Sequence, residues 1–139
     1  MALPTYTHIK VPMYNGKRCR YTHMLALPDD GFQYELIEGV MIVNPAPLDD
    51  HQKLSFELSW QLGDFIKQHP MGIVRYAPRD VKLREDLVYQ PDILYISNER
   101  VAINKPQYVD GAPDFIIEIL SDGTRLKDTE EKLRDYEKH

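Results

Sequence analysis

Hydrophobic residues first fall into a sustained pattern at Tyr34-Glu35-Leu36-Ile37 and Val40-Met41-Ile42-Val43, two strand-like runs around Glu38-Gly39. A two-residue connection ending in glycine is a hairpin signal, because glycine accepts the positive φ that a tight turn needs. Asn44-Pro45-Ala46-Pro47 ends the second run, and the period then changes. Leu54, Leu58, Leu62, Phe65 and Ile66 recur at three- and four-residue spacing, while Lys53, Glu57, Gln61, Asp64 and Lys67 fill the other positions. That spacing predicts an amphipathic helix. Asp49 or Asp50 would cap it, Pro70-Met71-Gly72 would stop it, and Trp60 reads as a packing residue inside it.

Extended structure follows. Ile73 to Ala77 and Val81 to Leu83 read as strand, Arg84-Glu85-Asp86 as a turn, and Val88 to Ser97 as a further strand. Asn98 to Pro113 reads as a loop with one helical turn near Glu99. Phe115 to Leu120 is apolar on both faces except for Glu118, the pattern of a central strand covered on both sides. Thr124 to His139 is charged and helix-prone, with Leu126, Leu133 and Tyr136 on a thin apolar stripe. Before the hairpin, Pro4, Pro12 and Pro28 interrupt a stretch without a period, which reads as an arm or irregular extension. The order of hairpin, helix, strands and helix predicts an α/β (α+β) fold, a mixed sheet flanked by helices. The expected division is an N-terminal extension over 1–30 and one domain over 31–139.

Composition narrows the class. A chain of 139 residues can bury its own core without disulfides or structural metal. No run approaches the roughly 20 apolar residues that span a bilayer. The first ten residues lack a secretory signal and Cys19 is the only cysteine, so a soluble protein of the reducing cytoplasm is expected, with Cys19 an inert thiol. A net charge of -5 excludes non-specific coating of nucleic acid, which needs a broad positive surface. It does not exclude an enzyme with local basic residues. Such residues cluster at Lys10, Lys17, Arg18 and Arg20, at Arg75, Arg79, Lys82 and Arg84, and at Arg125, Lys127, Lys132 and Arg134. Each cluster reads equally well as solvated surface.

Two acids break the apolar runs. Asp92 lies within Tyr89-Gln90-Pro91-Asp92-Ile93-Leu94-Tyr95-Ile96, and Glu118 lies in the most apolar run of the chain. Burying an ionised carboxylate is costly unless something compensates it. Alternation puts Asp92 on the face of Leu94 and Ile96, and Glu118 on that of Ile116 and Leu120. In neighbouring strands the two can converge. Pro91 cannot donate to a ladder and so marks a bulge or a splayed strand end. A hard cation such as Mg²⁺, or Mn²⁺, would compensate both acids, since it binds one or two carboxylates, waters and phosphate oxygens. It would polarise a phosphoryl group and activate water, with a lysine nearby for the anionic transition state. The alternative is that each acid pairs with its own Arg or Lys. His51, in the first turn of the predicted helix, reads as an exposed helix-start residue in preference to a catalytic one.

With these residues in view, the chain resembles the PD-(D/E)XK nuclease superfamily, and more closely its restriction-endonuclease branch expanded in cyanobacteria. Tyr34-Glu35-Leu36-Ile37-Glu38-Gly39, Pro45-Ala46-Pro47 with His51, Gln90-Pro91-Asp92-Ile93, and Gly111-Ala112-Pro113-Asp114 followed by Glu118-Ile119-Leu120-Ser121 look like that branch's segments, in its order. The likeness covers roughly residues 31–139. It implies a metal-dependent endonuclease acting on DNA, with Asp92 and Glu118 as metal ligands. The superfamily's lysine, two residues after the second acid, is replaced by Leu120, and the resemblance points to Lys132 instead, in a helix pattern shared with Asp128 and Tyr136. An i,i+4 pair of Lys132 with Asp128 is the equally weighted alternative. Glu35 or Glu38 could complete the acid cluster, though neither is the favoured expectation. Ser121-Asp122-Gly123-Thr124 departs from the branch's proline-containing turn, and the branch continues past the position of His139, so a shortened domain is expected. A homo-oligomer is left open.

Two other classes compete. The chain could be a catalytically inactive nucleic-acid or protein-binding module that keeps the nuclease fold, as Leu120 suggests. A carboxylate-pair glycosidase carries little weight without an aromatic sugar platform.

Overall fold

The computed structural model describes residues 14–28, 30–121 and 126–139, with side chains in the last segment from Thr129 onward. The positions of Leu126 and Asp128 expected on the last helix therefore fall outside the described side chains.

 

Two sheets carry the fold. Strands β1 (Gln33–Ile37) and β2 (Val40–Asn44) form the hairpin, paired from Gln33 with Asn44 to Ile37 with Val40. Its turn residues Glu38 and Gly39 both have positive φ, 50° and 76°, the geometry of the turn whose twist matches that of its strands. Strands β4 (Val81–Arg84), β5 (Leu87–Tyr89) and β7 (Val109–Asp110) complete a five-stranded sheet in the order β2-β1-β5-β4-β7. The β4–β7 pair is parallel and the others antiparallel, so this sheet is mixed. Strands β3 (Gly72–Tyr76), β6 (Ile93–Ser97) and β8 (Phe115–Ile117) form a second, antiparallel sheet in the order β3-β6-β8. The stretch expected as one strand from Val88 to Ser97 is thus two strands in different sheets. Pro91 lies in the break between them, as a residue without an N–H allows.

Helices α1 (Tyr21–Met24), α2 (Asp49–Gln68) and α3 (Leu126–Lys138) flank the sheets. The described part of the N-terminal stretch is no loose arm. Tyr21 and Met24 are buried in a cluster with Tyr34, Leu36, Met41 and Val88, and Cys19 N–H donates to the Gly39 carbonyl at 2.9 Å. A second cluster joins Val81, Leu94, Ile96 and Val109 to Ile73, Ile116 and Tyr136. Fully burying an aliphatic side chain such as Leu36 contributes roughly 1.5–3 kcal/mol.

Three expectations change in detail. Leu48, with no side-chain cap, precedes α2, and Asp49 and Asp50 occupy its first turn, where their charge suits the helix dipole. Trp60 is 61% exposed, and Leu133 is also exposed, because the apolar positions of each helix extend further around its circumference than the surface it meets. β8 is an edge strand among the described residues, with Phe115 exposed; its apolar composition does not give it cover on both sides. The loop after β6 contains a 3-10 segment at Asn98–Ile103. No helix among the described residues is long and apolar enough to cross a membrane.

Candidate metal and nuclease site

The second sheet brings the two acids together. In the β6–β8 ladder Ile93 pairs with Ile117 and Leu94 with Ile116, so Asp92 and Glu118 follow the last rung on either strand. Ile119 N–H donates to Asp92 Oδ2 at 2.6 Å, which holds the two strand ends together beyond the ladder. Asp92 is 6% exposed. Its other oxygen, Oδ1, lies 3.1 Å from His51 Nε2. His51 is therefore largely buried against an acid, not an exposed helix-start residue.

The first sheet supplies a third carboxylate. Glu35, on β1, is 4% exposed and accepts from Lys132 Nζ at 2.7 Å and from Gln90 N–H at 3.2 Å. The Gln90 side chain donates to Asp80 at 2.6 Å, and Asp80 also accepts from the Tyr21 hydroxyl at 3.0 Å. Those bonds fix the segment that leads into Pro91-Asp92. Glu38, the other acid considered, lies elsewhere and pairs with Arg84 at 3.0 Å.

Lys132 comes from α3. Its Nζ is 3.4 Å from Glu118 Oε1 and 5.3 Å from the centroid of the Tyr89 ring. The Tyr89 hydroxyl donates to Asp135 at 2.6 Å, so one helix face delivers Lys132 and is tied down beside it. Tyr136, one turn after Lys132, brings its ring within 5.5 Å of that of Tyr89.

The electrostatics reflect burial first and neighbouring charge second. Burial, opposed by Lys132 but reinforced by Glu35 and Asp92, raises the Glu118 carboxyl to about 7. For Lys132 burial acts to lower the pKa, yet Glu35 and Glu118 more than offset it and the net shift is upward. Burial, then the charges of Glu118 and Glu35, pushes Tyr136 well above the usual phenol range. Three polar atoms here, His51 Nδ1, Gln90 Oε1 and the Tyr136 hydroxyl, are buried without a hydrogen-bond partner among the described residues.

A family model described as "Putative restriction endonuclease", Uma2, matches residues 21–139. The chain belongs to the Uma2 family. This Uma2 chain also resembles a solved structure described as a "putative nuclease belonging to DUF820" from Anabaena variabilis, with a TM-score of 0.71 and 22% identity over 87% of this chain and 69% of that one. At that identity the likeness establishes the fold. Among curated proteins nothing matches the Uma2 chain.

The residues can be tested against a divalent ion. No group of three or more His, Cys, Asp or Glu among the described residues is arranged to hold a metal by itself. A Mg²⁺ or Mn²⁺ site needs less from the protein, because one or two carboxylates suffice when water and phosphate oxygens complete the shell. Asp92 and Glu118 fit that smaller requirement: they lie just beyond the same end of the β6–β8 ladder. Among the described residues neither is paired with an arginine; Glu118 shares Lys132 with Glu35. Sequence reasoning underrated Glu35 and His51. Glu35 carried a usable signal, an acid between Tyr34 and Leu36 in a strand-like run, the same kind that singled out Glu118.

Proposed function

We propose that this domain is an endonuclease that hydrolyses phosphodiester bonds in DNA, using Mg²⁺ or Mn²⁺ held by Asp92 and Glu118 with Lys132 beside them. The observation that supports this reading best is the meeting of Glu118 and Glu35 on Lys132 with Asp92 beside Glu118 at the same sheet end, inside a fold shared with a nuclease family. A bound divalent ion would supply polarisation of the phosphodiester and activation of water. The chain's own residues do the rest. Asp92 is oriented by Ile119 N–H, Glu118 contributes the second carboxylate, and Glu35 keeps Lys132 charged and directed toward Glu118. An ammonium held there by the fold is placed to stabilise the anionic transition state without reorganising.

Leu120 and the absence of a three-ligand group among the described residues favour a second reading, an inactive nucleic-acid or protein-binding module. Plasmid cleavage and calorimetry separate the two. The nuclease reading expects Mg²⁺- or Mn²⁺-dependent nicking and a loss on the order of 10²-fold or more in Asp92→Ala, equivalent to about 3 kcal/mol of transition-state stabilisation. Undiminished cleavage by Asp92→Ala would reject the assignment, and DNA binding without metal binding or cleavage would select the module.

A further inference from the structure

We propose that His51 is a positioning residue of the site, donating Nε2–H to Asp92 Oδ1 and thereby fixing the direction in which this carboxylate presents its free lone pairs to a divalent cation. The inference rests on the reading of Asp92 as a metal-holding residue.

Each oxygen of Asp92 has a neighbour from a different element. Ile119 N–H, just beyond β8, donates to Oδ2 at 2.6 Å, and His51 Nε2, in the first turn of α2, lies 3.1 Å from Oδ1. With both oxygens anchored, the carboxylate cannot rotate about its terminal bond without losing a partner. Each oxygen keeps a lone pair for a cation, since a carboxylate has about four acceptor sites. Carboxylates that bind metals are ordinarily oriented by such outer hydrogen bonds, whose loss costs 10–100-fold in affinity.

The tautomer follows from the partner. An ionised carboxylate only accepts, so Nε2 carries the hydrogen and a neutral ring leaves Nδ1 bare. Nδ1 is buried without a partner among the described residues. With Nε2 carrying its hydrogen toward Asp92, that nitrogen acts on the cation through Asp92 and not as a ligand. Its place on a 20-residue helix gives the ring a rigid mount.

Mn²⁺ titration of the full chain by calorimetry tests this, comparing wild type with Asp92→Ala, His51→Ala, His51→Gln and His51→Asn. His51→Ala should bind Mn²⁺ 10–100-fold more weakly. His51→Gln, whose amide nitrogen reaches the position of Nε2, should return to within about threefold of wild type, whereas His51→Asn, reaching only as far as Nδ1, should remain weak. Should His51→Ala fail to fold, the Gln and Asn variants decide. Wild-type affinity in His51→Ala or His51→Asn, or no recovery in a folded His51→Gln, would overturn the proposal, as would directly coordinated nitrogen in the electron paramagnetic resonance of the Mn²⁺ complex. Failure of wild type to bind Mn²⁺ would instead remove the metal reading itself, while loss of binding in Asp92→Ala alone would leave that reading intact and reject the role of His51.

Discussion

Glu118→Gln should make the metal-free protein more stable while removing a side chain on which the proposed chemistry depends. Burial is the main reason; Lys132 opposes it, and Glu35 and Asp92 add smaller repulsions. The Glu118 side chain is 21% exposed, so solvent does not screen most of this effect. The gap between the usual 4.5 and about 7 corresponds to roughly 3 kcal/mol of penalty on the ionised form. The sign is set by proton uptake. Between those two values the folded chain holds the proton more tightly than the unfolded chain, so wild-type stability falls as pH rises through that window and levels off above about 7. Glutamine has no proton to lose. The advantage of the variant should therefore be about 3 kcal/mol at pH 8 and fade toward pH 4.5, a shift on the order of 10 °C in Tm at the upper end. Denaturant titrations at several pH values in the presence of EDTA measure it. Mn²⁺ at a hundredfold excess over Kd should then stabilise wild type by about 2.7 kcal/mol and the variant by much less. No gain at pH 8, or one independent of pH, would refute the account of Glu118 as a buried carboxyl.

Two other substitutions probe the supporting structure. Lys132→Met should lower stability by about 3–5 kcal/mol by leaving the buried Glu35 without its cation; adding Glu35→Gln should recover part of that in urea denaturation, and strict additivity would argue against the coupling. Gly72→Ala would place a Cβ 2.3 Å from the Ile96 carbonyl oxygen and 2.6 Å from the Tyr95 ring, so a loss of about 1–3 kcal/mol is expected. An unchanged urea midpoint would contradict the observed approach of β3 to β6.

The elements were legible where the signal is local. The Glu38-Gly39 turn, the α2 spacing and the alternating strands each depend on residues close in sequence, and all appear in the structure. What period cannot convey is which stripe of an apolar element finds cover, and so Trp60, Leu133 and β8 differ from expectation. Asp92 and Glu118 stood out because each is an acid inside an apolar run. His51 and Glu35 join them only through long-range contacts: α2 folds back onto Asp92, and the pairing of Leu36 with Val88 sets β1 beside the segment leading to Gln90. Lys132 was visible through family resemblance alone, since nothing in the charged sequence of α3 distinguishes the inward lysine from its solvated neighbours.

The rung joining Ile93 to Ile117 acts as a calliper for the two acids that follow it. Their spacing is inherited from strand registry, while the excursion between them, from Asn98 to Asp114, is free to lengthen or diversify wherever it does not disturb the β4–β7 pair. Relatives could thus acquire different surface loops there without retuning the distance between the two acids, whereas deletion of a single residue within β6 or β8 would throw them out of step.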